Sequence, residues 1–123
     1  MTIREAAAKL GARIVQEEFE DLELRGAYTS DLLSDVIANA KDGGALITIQ
    51  AHKNTVAVAT LVNVSCIIIC NNRPLPEDML STAKDEGIAV LLTPENQFNV
   101  SGKLWDFLRG SSLGPDKESF CKN

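Results

Sequence analysis

With 123 residues, 45% of them hydrophobic, the chain can bury one core and leaves no room for a second domain of ordinary size. Seventeen acidic against twelve basic residues give a net charge of -5. No basic stripe is visible, which excludes nonspecific attachment to nucleic acid through clustered Lys and Arg. There is no charged-then-apolar leader and no apolar run near the roughly 18 to 20 residues that span a bilayer, so a cytoplasmic location is expected.

Thr2 and Glu5 stand at capping-box spacing ahead of a helix over Ile3 to Leu10, and a strand begins at Ala12 to Val15 after Gly11. A further strand is expected around Leu24 to Ala27. Thr29-Ser30-Asp31 then reads as a helix start, because hydroxyl and carboxylate oxygens accept the free amide hydrogens of a first turn. Leu32, Leu33, Val36, Ile37 and Ala40 make the apolar stripe of that helix. The turn signal Lys41-Asp42-Gly43-Gly44 introduces a strand over Ala45 to Ile49, and Thr55 to Leu61 forms a short helix despite its β-branched residues.

The clearest unit is Ser65 to Thr93. Cys66 to Cys70 is an uninterrupted apolar run, which suits a strand covered on both faces. Pro74 and Pro76 punctuate its exit, Met79, Leu80 and Ala83 recur at helical spacing, and Gly87 ends that helix as a C-terminal cap before a second apolar run, Ile88 to Leu92. Strand, helix and strand in this order make a parallel crossover unit. Asn99 to Leu108 is a final helix presenting Val100, Leu104, Phe107 and Leu108. The expected fold is α/β, a three-layer arrangement with a mostly parallel sheet of four to five strands and helices on both faces. One domain over residues 1–109 is followed by a flexible polar tail over 110–123.

Cys66 and Cys70 share a strand face but lie about 13 Å apart at roughly 3.3 Å per residue, too far for a disulfide or a shared metal. They read as small buried hydrophobes, with a reactive thiol at Cys70 left open by its place at the strand exit, and Cys121 reads as an exposed thiol in the tail. One histidine with dispersed cysteines does not make a zinc site, so no metal or other cofactor is expected. Neither G-x-x-x-x-G-K-[ST] nor G-x-G-x-x-G occurs, and Asn63-Val64-Ser65 and Asn99-Val100-Ser101 are chance matches to a glycosylation signal.

Ligands of open parallel sheets bind outside the carboxyl ends of the strands, and four polar loops fall there. Tyr28, Ser30 and Asp31 follow the first of these strands; His52, Lys53 and Asn54 the second; Asn71, Asn72 and Arg73 the third; Thr93, Glu95 and Asn96 the fourth. Ser30, Asn54 and Asn96 also serve individually as helix starts. His52 and Arg73, with Lys53, are suited to holding an anionic group. The candidate ligand-binding set is therefore Ser30, Asp31, His52, Lys53, Asn54, Asn71, Asn72, Arg73 and Thr93.

Ser65 to Leu108, with its I-I-I-x-N-x-R-P-x-P-E-x-x-L-x-x-A-x-x-x-G-I-x-V-L-x-T arrangement, resembles the DRTGG-domain family and the related N-terminal domain of HPr kinase/phosphorylase. Gly26 to Asn63 looks like the small stand-alone members of that family. The resemblance implies an α/β domain, frequent dimerisation and a regulatory role, with stand-alone members accompanying hydrogenase and redox-regulation proteins. The D-R-T-G-G string itself is absent, His52-Lys53-Asn54 stands where relatives carry a Gly-Asp-Arg type of loop, and the kinase half is missing, so kinase activity is not expected.

Two functions follow. The first is a non-catalytic regulatory or scaffolding module, a homodimer that binds a partner protein or small anionic ligand at the strand-end edge. The second is a small enzyme or phosphocarrier using His52, with Asp31, Asp35 or Glu95 as its orienting carboxylate. Phe98, Trp105 and Phe107 on the last helix are the candidate dimer contacts, since aromatic residues are enriched in interface cores.

Overall fold

The computed structural model describes residues 1–110. The expected tail, apart from Gly110, and Cys121 within it lie outside the described residues. In chain order the elements are α1 (Ile3–Leu10), β1 (Arg13–Gln16), β2 (Ala27–Thr29), α2 (Leu33–Asn39), β3 (Ala45–Thr48), α3 (Lys53–Leu61), β4 (Cys66–Ile69), α4 (Glu77–Glu86), β5 (Ala89–Leu92) and α5 (Gln97–Arg109). The five strands form one sheet in the order β1-β5-β4-β3-β2. β2 to β5 are mutually parallel, and β1 joins β5 antiparallel. The fold is the expected α/β class.

Topology follows from strand order. β2, β3, β4 and β5 are spatial neighbours in sequence order, so every crossover steps in the same direction, and a constant right-handed crossover places α2, α3 and α4 on one face. There Val36, Val56, Ala59, Met79 and Ala83 pack against Leu46, Ile67, Ile69 and Val90. The chain leaves β5 toward the opposite face, where Val100, Leu104 and Leu108 of α5 join Ile3, Ala6, Ala7 and Leu10 of α1 over Ala45, Ile47, Cys66, Ile68, Ala89 and Leu91. Alternate residues of each strand thus enter two separate cores, which is why β3, β4 and β5 are buried throughout and almost wholly apolar. Ile67, Ile68 and Ile69 are all fully buried. Truncating any of them to Ala costs about 2–5 kcal/mol.

Several ends form as expected. Thr2 and Glu5 make a reciprocal capping box, and α1 and α4 end on Gly11 and Gly87 with φ of 66° and 67°. These left-handed positions suit glycine, which has no Cβ to clash.

α3 and α5 each begin two residues earlier than expected, and two further boundaries differ in ways that bear on the site. The strand expected around Leu24 to Ala27 lies at Ala27–Thr29, so Tyr28 is inside it rather than beyond it. α2 begins at Leu33 after Leu32, which makes no side-chain cap bond. Thr29 is still in the strand and meets Ser101, the Asp31 carboxylate is turned toward β3, and only the Ser30 hydroxyl accepts the Leu32 N–H, at 3.2 Å. The cap residues are present, but tertiary partners hold two of the three.

Candidate functional site

The carboxyl ends of β2 to β5 lie along one edge, and the loops and first helical turn leaving them carry every candidate residue. β4 sends its exit to α4 on one face, while β5 sends its exit to α5 on the other. A crevice can open between such diverging connections. Here main-chain hydrogen bonds bridge it: Asn71 N–H donates to Glu95 O and Asn72 N–H to Thr93 O, each at 2.9 Å. To present those N–H groups, Asn71 and Asn72 take left-handed conformations with φ of 59° and 50°, which asparagine tolerates better than most residues. The 93–97 segment then passes back along the edge to β2.

Asp31 anchors that segment. Its Oδ1 accepts from the Thr48 hydroxyl at 2.8 Å, the Ile49 N–H at 2.9 Å and the Gln97 side-chain amide at 3.0 Å. Its carbonyl accepts from the Gln50 side chain at 3.0 Å. One carboxylate therefore ties together the ends of β2, β3 and α5. Gln50 and Gln97, the partners in this latch, were not among the candidates, and nothing in their local sequence marks them. Thr93 is also committed internally: it is 1% exposed, and its hydroxyl accepts the Glu95 N–H at 3.2 Å.

The neighbouring stretch is open. His52 is the N-cap of α3, its Nδ1 accepting the Asn54 N–H at 3.0 Å. That role had been expected of Asn54, which sits instead within the first turn. His52 in this position uses Nδ1 for the backbone and leaves Nε2 for another partner. Thr55, next in the turn, donates its hydroxyl to Gln50 O at 2.8 Å, so the β-branched start of α3 is locked to the strand exit.

Lys53 is exposed and reaches Asp78 of α4 only at 3.9 Å, across the gap between the β3 and β4 exits. Such a solvated pair contributes little. The contact places the start of α3 near the start of α4. Arg73 is exposed, and its guanidinium has no hydrogen-bond or ion-pair partner among the described residues. His52, Lys53 and Asn54 thus follow β3, and Asn71, Asn72 and Arg73 follow its neighbour β4. Ser30 and Asp31 sit beside the Gln50 side chain, and Thr93 lies beneath the bridge.

None of the carboxylates considered for His52 is its hydrogen-bond partner. Asp31 is occupied as described. Asp35 accepts from the Tyr28 hydroxyl at 2.8 and 2.9 Å and from the Asn39 amide at 2.8 Å, and Glu95 pairs with Lys103 at 3.2 Å. Hydrogen bonding from the Ser30 hydroxyl, then from the Tyr28 hydroxyl and the Asn39 amide, holds the Asp35 carboxyl below its ordinary range. The same Asp35 contact raises the Tyr28 phenol.

Both described thiols are buried and free. Burial pushes Cys66 far up, while burial and then the negative charge of Asp31 push Cys70 up to about 11. The thiolate is the nucleophile, and burial together with the raised pKa disfavours it at Cys70. No group of three or more His, Cys, Asp and Glu side chains that could hold a metal occurs among the described residues. None of their helices is long and apolar enough to cross a membrane.

The family model described as HPr Serine kinase N terminus matches residues 46–108, just over half of the chain. The chain belongs to this family, and its fold is a DRTGG-like domain related to the N-terminal domain of HPr kinase. A solved structure, of the CBS and DRTGG domains of the regulatory region of Clostridium perfringens pyrophosphatase complexed with the activator diadenosine tetraphosphate, is similar at a TM-score of 0.65 and 17% identity. The match covers 84% of this chain and 45% of that one, so this chain spans less than half of its neighbour. No curated protein matches.

Proposed function

We propose that residues 1–109 form one non-catalytic regulatory module that binds a small anionic ligand, or a partner presenting one, on the rim formed by His52, Lys53, Asn54, Asn71, Asn72 and Arg73. The observation that carries this is the presence of exposed cationic groups, Lys53 and Arg73, and of a histidine whose Nε2 has no hydrogen-bond partner among the described residues, at the exits of the neighbouring strands β3 and β4. On a chain of net charge -5, an exposed Arg without a carboxylate partner among the described residues is suited to phosphate, which a guanidinium meets with two parallel hydrogen bonds. The first turn of α3 adds its positive dipole end on the same side.

A regulatory use fits the structural neighbour, whose own region is a regulatory one complexed with a polyphosphate dinucleotide. The setting implied by the family resemblance, hydrogenase or redox regulation in the cytoplasm, belongs to the same proposal. Ser30, Asp31 and Thr93 enter it as supports of the rim rather than contacts. An enzyme or phosphocarrier built on His52 is less favoured, because Asp31, Asp35 and Glu95 are all engaged elsewhere.

Thermal melting of the whole chain with diadenosine tetraphosphate, ATP or inorganic phosphate tests the proposal. At least one should raise the melting temperature without being consumed, and the shift should vanish in Arg73→Ala. Turnover of the probe, or an unchanged shift in Arg73→Ala, would count against it.

A further inference from the structure

We propose that His52 is a proton-sensitive clasp on the first turn of α3, closed while its imidazole is neutral and opened when the ring takes up a proton. The chain has a single histidine, and it stands where helix starts ordinarily carry Ser, Thr, Asp or Asn. Those residues cap with an oxygen, which still accepts at neutral and mildly acid pH. His52 caps with a ring nitrogen instead, its Nδ1 accepting the Asn54 N–H at 3.0 Å. A ring nitrogen accepts only while it carries no hydrogen. The cap therefore requires the neutral ring and, of its two tautomers, the one with its hydrogen on Nε2.

Protonation acts against the helix start twice. It turns Nδ1 from acceptor into donor, so that the ring N–H and the Asn54 N–H would point at one another. It also sets a positive charge at the positive dipole end of α3, beside Lys53, and the first turn holds no acidic residue to offset it.

The charges on the elements around α3 do not reverse that sign. The exit of β2 and α2 bring Asp31 and Asp35, both already accepting from the donors described above. The start of α4 brings Glu77, which is exposed, and Asp78, which approaches Lys53 at 3.9 Å. The exit of β4 brings the cation Arg73 and the buried Cys70 thiol, whose raised pKa keeps it neutral. Among the described residues His52 forms no ion pair.

The opening is confined to the tip of the helix. His52 N–H donates to Gln50 O at 3.1 Å and the Thr55 hydroxyl donates to the same oxygen at 2.8 Å, and neither bond involves the ring. Thr55 and Val56 are fully buried. α3 thus stays docked on the sheet while Lys53 and Asn54 lose their fixed start. Those residues belong to the rim described above, so the rim is best ordered when the histidine is neutral. The clasp stands without the ligand reading, because its test contains no ligand.

Urea unfolding of the full chain and of His52→Asn, compared from about pH 8 to about pH 5, spans the range in which an imidazole changes charge. Groups common to both chains cancel in the comparison, and the Asn amide oxygen caps throughout. Because only the neutral ring caps, the stability of the natural chain relative to His52→Asn should be greatest at the upper end and fall with pH. The expected loss is about fivefold in the folding equilibrium constant, the scale of one N-cap. Nitrogen-15 NMR of the ring at the upper end should find its hydrogen on Nε2. Protection of the Asn54 amide, corrected for intrinsic exchange, should decrease as the ring protonates. A relative stability that stays level or rises as pH falls overturns the proposal, as does a neutral ring with its hydrogen on Nδ1.

Discussion

Two adjacent stretches of one sheet edge use polar side chains in opposite ways. At the ends of β2 and β3, Asp31 accepts three hydrogen bonds through a single oxygen, from Thr48, Ile49 and Gln97. At the ends of β3 and β4, Lys53 and Arg73 extend into solvent with one weak contact between them and the rest of the fold. The first stretch is a latch, its groups satisfied before any ligand arrives. The second is organised only at the backbone, by the His52 cap and the left-handed Asn71-Asn72 turn. A polar cluster at a strand end is therefore not a site until its hydrogen bonds have been followed to their partners.

The largest effect that could break this contrast is at Asp31. Asp31→Ala leaves the fully buried Thr48 hydroxyl and the Ile49 N–H without their acceptor, and should lower unfolding free energy by about 3 kcal/mol in urea titrations. A loss below about 1 kcal/mol would remove the latch. The same latch guards the Cys70 thiol. In a Cys121→Ser background, Cys66 and Cys70 should resist an aromatic disulfide reagent at pH 8 until the chain unfolds, and Cys70 should react measurably faster once Asp31 is Ala. Rapid native labelling would contradict the burial assigned to both.

A smaller effect is expected at the cap. His52→Ala removes the acceptor for Asn54 N–H and should cost about 1 kcal/mol, with His52→Asn restoring most of it. Stability restored by Asn without ligand binding would separate the capping role of His52 from its place on the rim.

Smaller still is the contribution of Asp35. Its folded-state carboxyl is held below the ordinary range, so its stabilising effect is complete above the usual carboxylate range and is lost as pH falls through the lowered value. Asp35→Asn should flatten that acid limb of stability against pH, and an unchanged limb would show that the Tyr28-Asp35-Asn39 contacts are not maintained in solution. Arg73→Ala should change stability by no more than about 0.5 kcal/mol, as expected for an exposed side chain without partners.

Much of the fold was legible because its signals are local. The apolar runs at Cys66 and Ile88, the capping box at Thr2 and the glycine at Gly87 each declare an element within a few residues. β2 was misplaced by about three residues because Leu24 is as deeply buried as a strand residue while serving in a connection. The helix start at Thr29-Ser30-Asp31 failed for a non-local reason, since Gln97 and Ser101, far along the chain, engage two of those residues. His52 was noticed as chemistry, whereas its capping role was hidden because histidine is not a preferred cap. Strand-end logic put His52, Lys53 and Arg73 at the exits of neighbouring strands, while the internal engagement of Asp31 and Thr93 required the hydrogen bonds.

The most direct test of the rim is a two-dimensional NMR titration of the full chain with inorganic phosphate and with diadenosine tetraphosphate. The expected result is saturable shifts at His52 Nε2, the Lys53 and Asn54 amides and the Arg73 guanidinium, with Asp31, Gln97 and Thr93 unmoved, and loss of those shifts in Arg73→Ala. Shifts centred on Asp31 and Gln97, or no saturable shift with either probe, would contradict it.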